Sequence, residues 1–158
     1  MDSKPIGIGM TLTKYDIVYM KMAQQWSDLS VARRKKVGAL IVKNNTIIAD
    51  GFNGTPSGFE NECEEPIFDE TNEFVEYETK WYVLHAESNA LAKVAKSTQS
   101  SDGSTLYVTL SPCKECSKLI LQAGIKRVVY LENYRDSAGL ALLQKAGVEV
   151  IKMPESKY

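Results

Sequence analysis

Histidine and cysteine are scarce in this sequence, and their scarcity excludes several classes of protein. The 158 residues include one histidine and three cysteines, and three cysteines are too few, and odd in number, for a disulfide framework. No apolar run approaches the length of a membrane span, and the N-terminal sequence MDSKPIGIGMTLTKYD has no signal-peptide layout. We therefore expect a soluble protein of the reducing cytoplasm, without a membrane partner.

A strong charge of either sign is also absent. The net charge is −1, so no overall cationic field points to nucleic acid as the main partner. Apolar residues make up 44% of the chain and charged residues 25%, which are ordinary values for a globular protein. The length is that of one compact domain, and we expect residues 1–158 to form a single domain.

The periodicity of the chain predicts an α/β fold. A capping-box sequence that begins at Thr13 predicts a helix start, and two β-branched runs at 37–42 and 47–52 flank Asn44-Asn45 in the manner of a β-hairpin. Further along, predicted helices at 84–96, 112–122 and 136–146 alternate with predicted strands at 105–110, 127–132 and 148–153. This alternation is typical of a three-layer architecture in which helices cover a sheet with parallel neighbours.

Residues 53–80 do not follow this pattern. The segment begins with the turn-rich NGTPSG, and residues 60–80 contain nine Asp or Glu and one Lys, a balance of −8. Because the net charge of the whole chain is −1, the remainder carries +7. We expect an acidic loop or insertion at about 53–80 that is partly helical at most.

The histidine and two of the cysteines fall in two short motifs. LHAESNA contains His85, and SPCKEC contains Cys113 and Cys116, each near the start of a predicted helix. Cysteines three residues apart share a helix face, and the positive helix end favours the thiolate form that binds metals. A lone C-x-x-C could equally be a redox pair. One His and two Cys, however, supply three zinc ligands and leave a fourth position for water.

A carboxylate lies two residues after the histidine. Glu87 would stand beside the metal without binding it, where it can exchange protons with a zinc-activated water, whose pKa falls to about 7. H-x-E followed by P-C-x-x-C is the known signature of zinc deaminases. Each residue by itself would also fit a helix-end histidine or a small buried cysteine. Together, in this order on consecutive strand–helix units, they favour a catalytic metal site.

Longer stretches of the sequence narrow the family. VGALIV…GFNGTPSG, HAESNA and TLYVTLSPCKECSKLILQAGIKRVVY resemble deoxycytidylate (dCMP) deaminases, over about residues 37–153. Cytidine, tRNA-adenosine and riboflavin-pathway deaminases share the zinc ligands but not this combination of motifs. The resemblance implies a cytidine-deaminase-like fold with a mixed five-stranded sheet and helices on both faces. It also implies a homo-oligomer, commonly a hexamer.

The resemblance further implies a reaction, the conversion of dCMP to dUMP with release of ammonia, which supplies dUMP for thymidylate synthesis. One zinc per chain would be bound by His85, Cys113 and Cys116. Glu87 would take a proton from the activated water, pass it to N3 of the ring and later serve the leaving amine. Protonation of N3 avoids negative charge on the ring during attack at C4, which is why a proton carrier beside the metal is needed.

Five residues are expected to contact the substrate. The resemblance places Asn53 at the 3′ oxygen of the deoxyribose. The 5′-phosphate needs a cationic or hydroxyl partner, and Arg135 follows a predicted strand at the sheet edge where α/β proteins bind ligands; alone, it could equally lie in a solvated loop. The remaining predicted contacts are Ala86, Ser111 and Tyr134.

Many members of the family that this sequence resembles are activated by dCTP and inhibited by dTTP, and magnesium could accompany a bound dCTP. The loop NGTPSG offers glycines for close approach of a triphosphate, and the basic run 33–36 offers positive charge, although it could equally be a solvated helix end. The predicted effector contacts are Gly54, Ser57, Gly58, Arg33 and Lys96.

Some phage relatives carry a second, structural zinc bound by additional His and Cys. A His-rich site of that kind cannot form here, because His85 is the only histidine. Cys63, with the glutamates around it, is a poor substitute. We expect Cys63 to be a free thiol in a loop.

Two other functions remain open at this point. A nucleic-acid base deaminase would use the same zinc chemistry on a flipped or single-stranded base, but the near-neutral charge and the acidic segment disfavour a phosphate backbone as ligand. A non-enzymatic nucleotide-sensing relative would have no use for Glu87. The expected partners are therefore nucleotides, both substrate and effectors.

Overall fold

A computed structural model describes residues 12–154, and these form a five-stranded sheet, a two-stranded hairpin and four helices. Residues 1–11, which include most of the N-terminal sequence considered above, and residues 155–158 lie outside the described part. The elements are α1 (Lys14–Ser27), β1 (Gly38–Lys43), β2 (Thr46–Phe52), β3 (Glu64–Phe68), β4 (Phe74–Thr79), α2 (Ala86–Ala95), β5 (Thr105–Leu110), α3 (Lys114–Gln122), β6 (Arg127–Glu132), α4 (Ala138–Lys145) and β7 (Glu149–Lys152). Within residues 12–154, no helix has the length and apolarity needed to span a membrane.

The large sheet has the strand order β2-β1-β5-β6-β7. β1 pairs antiparallel with β2 and with β5, whereas β5, β6 and β7 are parallel. The β1–β2 turn consists of Asn44 and Asn45, with φ of 51° and 57°, as the predicted two-residue hairpin requires. Because β5 and β6 are parallel, their carboxyl ends lie side by side, and the segments that follow both strands leave the sheet at the same edge.

Both faces of the sheet are covered, so the predicted three-layer mixed α/β fold is confirmed. On one face α1 buries Met20 and Ala23 against residues of β1, β5 and β6. On the other face α2, α3 and α4 bury Ala90, Ile120 and Leu143. Burial on both sides explains why the central strands read as nearly continuous apolar runs instead of alternating ones.

A buried ion pair fixes α1 to the sheet. Asp16 is 3% exposed, and its carboxylate accepts a hydrogen bond from the N–H of Thr13 at 2.7 Å, at the predicted start of α1. The guanidinium of Arg127 donates to the same carboxylate at 2.7 and 3.0 Å, and the Tyr107 hydroxyl donates as well. Burial raises the pKa of Asp16, but these hydrogen bonds outweigh it, and the pKa lies below its usual value.

Part of the acidic segment forms an antiparallel hairpin, β3–β4. The expectation of a loop that is partly helical at most is therefore wrong for residues 64–79. The carboxylate of Asp69 holds the turn by accepting from the N–H groups of Thr71 and Glu73, both at 2.9 Å, and Asn72 has a φ of 65°. β4 is exposed along its whole length, so it lacks the apolar alternation that identifies a half-buried strand.

Three helices begin later than predicted. α2 begins at Ala86 and α3 at Lys114, so His85 and Cys113 are N-cap residues. Pro112, predicted as the first residue of a helix, instead precedes the N-cap of α3, and α4 spans 138–145 instead of 136–146. The N-cap position explains the difference at both metal-ligand motifs, since an N-cap residue has extended backbone and directs its side chain back over the helix start.

Candidate active site

α2 is held against β2 by a close approach at one glycine. A Cβ on Gly51 would lie 2.3 Å from the carbonyl oxygen of Ala86, so a larger residue would force the helix away from the strand. The Asn89 side chain donates to the carbonyl of Phe52 at 2.8 Å and ties the same two elements together. These contacts fix the first turn of α2, which carries Glu87 directly after the His85 N-cap.

The predicted metal ligands meet at the starts of α2 and α3. Nδ1 of His85 is 3.4 Å from Sγ of Cys113 and 3.4 Å from Sγ of Cys116. A tetrahedral zinc with bonds of about 2.3 Å to sulfur and about 2.0 Å to nitrogen places such atoms about 3.5 Å apart. The three side chains therefore fit a zinc ion in both donor type and spacing, and their ligand atoms all lie within 4.8 Å of one another.

The protonation of these ligands is strongly coupled. A hydrogen bond from Cys116 lowers the pKa of the Cys113 thiol, with further help from His85 and from the N–H of Cys116. The same contact raises the pKa of Cys116, and the contact with Cys113 raises the pKa of His85. A divalent cation would favour the ionised form of both thiols.

Glu87 is the buried carboxyl group beside the three ligands, with 4% of its surface exposed. Burial raises the pKa of Glu87 from 4.5 to about 7, and its own backbone N–H and the charge of His85 only partly oppose this effect. A group with this pKa can both accept and donate protons near neutral pH. The H-x-E motif predicts Glu87 as the proton carrier, and its burial beside the three ligands suits that role.

A cavity of about 350 Å³ is lined by His85, Cys113 and Glu87. Its volume lies in the range of about 300–1,000 Å³ that is usual for small-molecule sites. All five predicted substrate contacts line it, namely Asn53, Ala86, Ser111, Tyr134 and Arg135. The structure therefore brings the predicted metal, proton-transfer and substrate residues to one place.

Ser111 and Tyr134 join the ends of the two parallel strands at the cavity. The hydroxyl of Ser111 accepts a hydrogen bond from the N–H of Tyr134 at 2.7 Å, and the Ser111 N–H donates to the carbonyl of Glu132 at 2.9 Å. The guanidinium of Arg135 lies 5.6 Å from the ring centroid of Tyr134. The side chains that follow β6 thus form one wall of the cavity.

The side-chain amide of Asn53, which also lines the cavity, is hydrogen-bonded to the main chain. Its oxygen accepts from the N–H of Val37 at 2.8 Å, and its nitrogen donates to the carbonyl of Lys35 at 2.8 Å. Each end of the amide retains a further donor or acceptor position. Asn53 lines the cavity as predicted, and it also holds the segment that leads into β1.

Several further residues line the cavity without having been predicted as substrate contacts, among them two cationic residues and two residues of the hairpin. Arg34 and Lys35 belong to the basic run that sequence reasoning assigned to an effector, and Glu64 and Thr79 belong to the acidic hairpin. No local motif marks any of them. The sequence does contain a basic run and an acidic segment of opposite charge. Their residues lie about 30 positions apart in the chain, and the structure brings them into contact.

The predicted effector contacts lie outside the lining of this cavity. Gly54 pairs with Leu84 in an isolated β-bridge. Ser57 and Gly58 are exposed. Lys96 is the C-cap of α2, at the opposite end of the helix from His85. The guanidinium of Arg33 lies 5.0 Å from the ring centroid of Tyr77.

Cys63 is a free thiol outside the strands, as predicted. Unlike an ordinary loop thiol it is 1% exposed, and it lines the cavity. Burial raises the pKa of this thiol, which keeps it protonated and unreactive. The distance in the sequence between Cys63 and the metal ligands gave no indication of this position.

Comparisons with known proteins agree with this geometry. Residues 13–132 match the model of the cytidine and deoxycytidylate deaminase zinc-binding region. The chain is 36% identical to the deoxycytidylate deaminase of Enterobacteria phage T4 over 154 residues (76% of this chain and 80% of the phage protein). It is 41% identical to the human deoxycytidylate deaminase over 133 residues (76% of this chain and 71% of the human protein).

Solved structures show the same fold. The dCMP deaminase of the cyanophage S-TIM5, crystallised in complex with dCMP and dUMP, matches with a TM-score of 0.77 and 52% sequence identity. The match covers 86% of this chain and 94% of the cyanophage chain. The apo form of that protein matches with a TM-score of 0.73.

Proposed function

Since the chain belongs to the cytidine and deoxycytidylate deaminase family, we propose that it catalyses the hydrolytic deamination of dCMP to dUMP with release of ammonia. The observation that carries this proposal is the buried carboxyl of Glu87 beside a His-Cys-Cys cluster, in a cavity of about 350 Å³ whose lining includes Arg34 and Arg135. The deaminase names of the T4 and human relatives, and the dCMP and dUMP bound to the cyanophage protein, support this substrate.

One zinc ion per chain would be held by His85, Cys113 and Cys116. Three protein ligands are typical of a catalytic zinc site, because a structural site is normally closed by a fourth. Zinc bound there would act as a Lewis acid that makes a water molecule a nucleophile at neutral pH. The three ligands lie at the starts of two helices packed on the same sheet face, so their positions are fixed before the metal binds.

Glu87 would move the protons of the reaction. Its carboxylate lies beside the three ligands and would accept a proton from water and deliver it to N3 of the cytosine ring as C4 is attacked. It can then donate to the departing amine. Because its carboxyl group is buried, bulk water does not compete for these transfers.

The walls of the cavity would orient the nucleotide. Asn53 lies at the wall proposed for the deoxyribose, and the N–H of Ala86, in the first turn of α2, has no partner within the helix and is available to the base. Arg135 remains our proposed phosphate contact, and Arg34 is a second candidate because it lines the same cavity. Lys35 is less available, since its amine pairs with Glu132 at 2.5 Å.

Several wider properties remain proposals. Product dUMP would supply thymidylate synthesis, and dCTP with magnesium would activate the enzyme and dTTP inhibit it through contacts such as Gly54, Ser57, Gly58, Arg33 and Lys96. A homo-oligomer, commonly a hexamer in the family, is proposed on the same resemblance. A reducing cytoplasm suits an active site whose ligand thiols must stay reduced.

A substrate panel tests the proposal. Ammonia release is measured with dCMP, CMP, dCTP, deoxycytidine and a cytosine-containing single-stranded oligonucleotide, each with and without dCTP and dTTP as effectors. We expect dCMP to be the best substrate. A preference for the oligonucleotide would indicate a nucleic-acid deaminase, and a preference for deoxycytidine would refute the assignment to dCMP. Absence of turnover on all five would favour a nucleotide-sensing role.

A further inference from the structure

The base of the acidic hairpin is attached to the basic run by one pair of residues. Glu64 and Thr79 lie opposite each other in β3 and β4, and both line the cavity. Oε2 of Glu64 accepts hydrogen bonds from the N–H of Arg33 at 2.8 Å and from the N–H of Arg34 at 3.0 Å. The hairpin therefore contacts the main chain of the segment that precedes β1.

Glu64 differs from the other carboxylates of the hairpin in its burial. It is 6% exposed, whereas Glu65 beside it and the glutamates of β4 are exposed. A buried carboxylate is costly unless hydrogen bonds replace its hydration. Two consecutive backbone N–H groups form a small anion-binding concavity of the kind that stabilises such a charge. The contact therefore constrains both partners, the carboxylate and the backbone that binds it.

The two arginines of this backbone diverge. The guanidinium of Arg33 packs over the ring of Tyr77, whereas Arg34 lines the cavity and its Nη1 lies 3.5 Å from the Thr79 hydroxyl. Residues 33 and 34 form a bend in the chain, and their side chains leave it in different directions. The orientation of the 33–34 peptide units therefore decides which arginine faces the nucleotide, and Glu64 fixes that orientation.

We propose that Glu64 is a positioning residue for phosphate recognition, acting through Arg34. Its carboxylate holds the 33–34 backbone in an orientation that directs the guanidinium of Arg34 towards the 5′-phosphate. Less conformational entropy is then lost when the phosphate binds. The inference rests on the proposed function, since it requires a monophosphate substrate. It gives the hairpin a role at the active site and makes the acidic segment part of the substrate-binding wall.

The experiment compares two substrates in the zinc-loaded enzyme. For Glu64→Ala we expect the KM for dCMP to rise about ten- to a hundredfold, the size of one lost charge-assisted hydrogen bond. We expect kcat/KM for deoxycytidine, which lacks the phosphate, to stay within about twofold of the unmodified enzyme. Glu64→Gln retains an acceptor of the same shape without the charge and should give an intermediate KM for dCMP. Glu65→Ala, at the exposed neighbouring position, is the matched control.

A double-mutant cycle separates positioning from a general structural role. If Glu64 acts through Arg34, then Arg34→Ala and the combination of Arg34→Ala with Glu64→Ala should have the same KM for dCMP. Additive losses, or equal losses on dCMP and deoxycytidine in Glu64→Gln, would overturn the inference. Should Glu64→Ala fail to fold, Glu64→Gln carries the same cycle.

The outcome also distinguishes this inference from the proposed function. Failure of the proposed function would appear in the unmodified enzyme, as the absence of a preference for dCMP over deoxycytidine, and would remove the inference with it. If only the inference fails, the unmodified enzyme still prefers dCMP over deoxycytidine, and the Glu64 substitutions do not change that preference.

Discussion

Replacing Glu87 with glutamine should remove turnover and at the same time stabilise the metal-free fold. Glutamine keeps the shape of the side chain but cannot carry a proton, and general acid–base catalysis contributes about 10²–10⁴-fold in rate. We therefore expect kcat on dCMP to fall by at least about a hundredfold, with zinc content unchanged.

The gain in stability follows from the burial of the carboxyl group. In the folded protein the pKa of Glu87 is raised from 4.5 to about 7, so the folded state binds the proton more tightly than the unfolded state. The stabilisation from this proton is fully present below pH 4.5 and is lost as the pH rises through 7. At about 1.4 kcal/mol per pKa unit, the buried charge costs the folded state about 3 kcal/mol above pH 8.

Urea denaturation of chelator-treated protein at pH 5, 6, 7 and 8 measures this cost. Glu87→Gln should match the unmodified protein at the acidic end and exceed its free energy of unfolding by about 3 kcal/mol at pH 8. Glu62→Gln, which changes an exposed carboxylate, serves as control and should show no such trend. A difference between Glu87→Gln and the unmodified protein that does not vary with pH would refute the reasoning.

Three further results are expected. Purified protein should contain about one zinc per chain by elemental analysis, and Cys116→Ser should lose most of it; two tightly bound zinc ions would indicate a second site. Asp16→Ala should lower the free energy of unfolding by about 3–5 kcal/mol, because it removes the buried carboxylate that accepts two hydrogen bonds from the largely buried guanidinium of Arg127; a loss below about 1 kcal/mol, as for a surface ion pair, would show that the contact is not buried in solution. Arg135→Ala should reduce turnover of dCMP by about ten- to a hundredfold and leave deoxycytidine almost unchanged; equal losses on both would mean that Arg135 supports the fold instead of binding the phosphate.

The metal site and the large sheet could be predicted because their signals are local. His85 with Glu87, and Cys113 with Cys116, are short motifs at helix starts, and the alternation of helices and strands after residue 80 places both motifs on one sheet. Parallel pairing of β5 and β6 then brings residues 111–113 and 133–135 together. Predicting that Arg135 would reach the cavity needed only this rule about strand ends.

The hairpin could not be predicted in the same way. Pattern recognition of strands depends on one buried face, and β4 has none. The turn at 69–73 is held by hydrogen bonds from backbone N–H groups to the Asp69 carboxylate. The sequence of this turn, DETNE, is only a weak turn signal. The bonds from Glu64 to the 33–34 backbone join residues about 30 positions apart, and no periodicity reports a contact of that kind.

The hairpin lies in a different part of the chain from the proposed metal ligands and Glu87, although both groups line one cavity. Residues 53–84 connect β2 to α2, and the part of the cavity wall that they form is one continuous segment. The β-bridge between Gly54 and Leu84 joins the two ends of this segment. The metal ligands and Glu87 are carried by the sheet and helices beyond it. Under the proposed function, exchanging this segment between relatives would change which nucleotide binds while leaving His85, Glu87 and the two cysteines in place, provided that its contacts with residues 33–37 are kept.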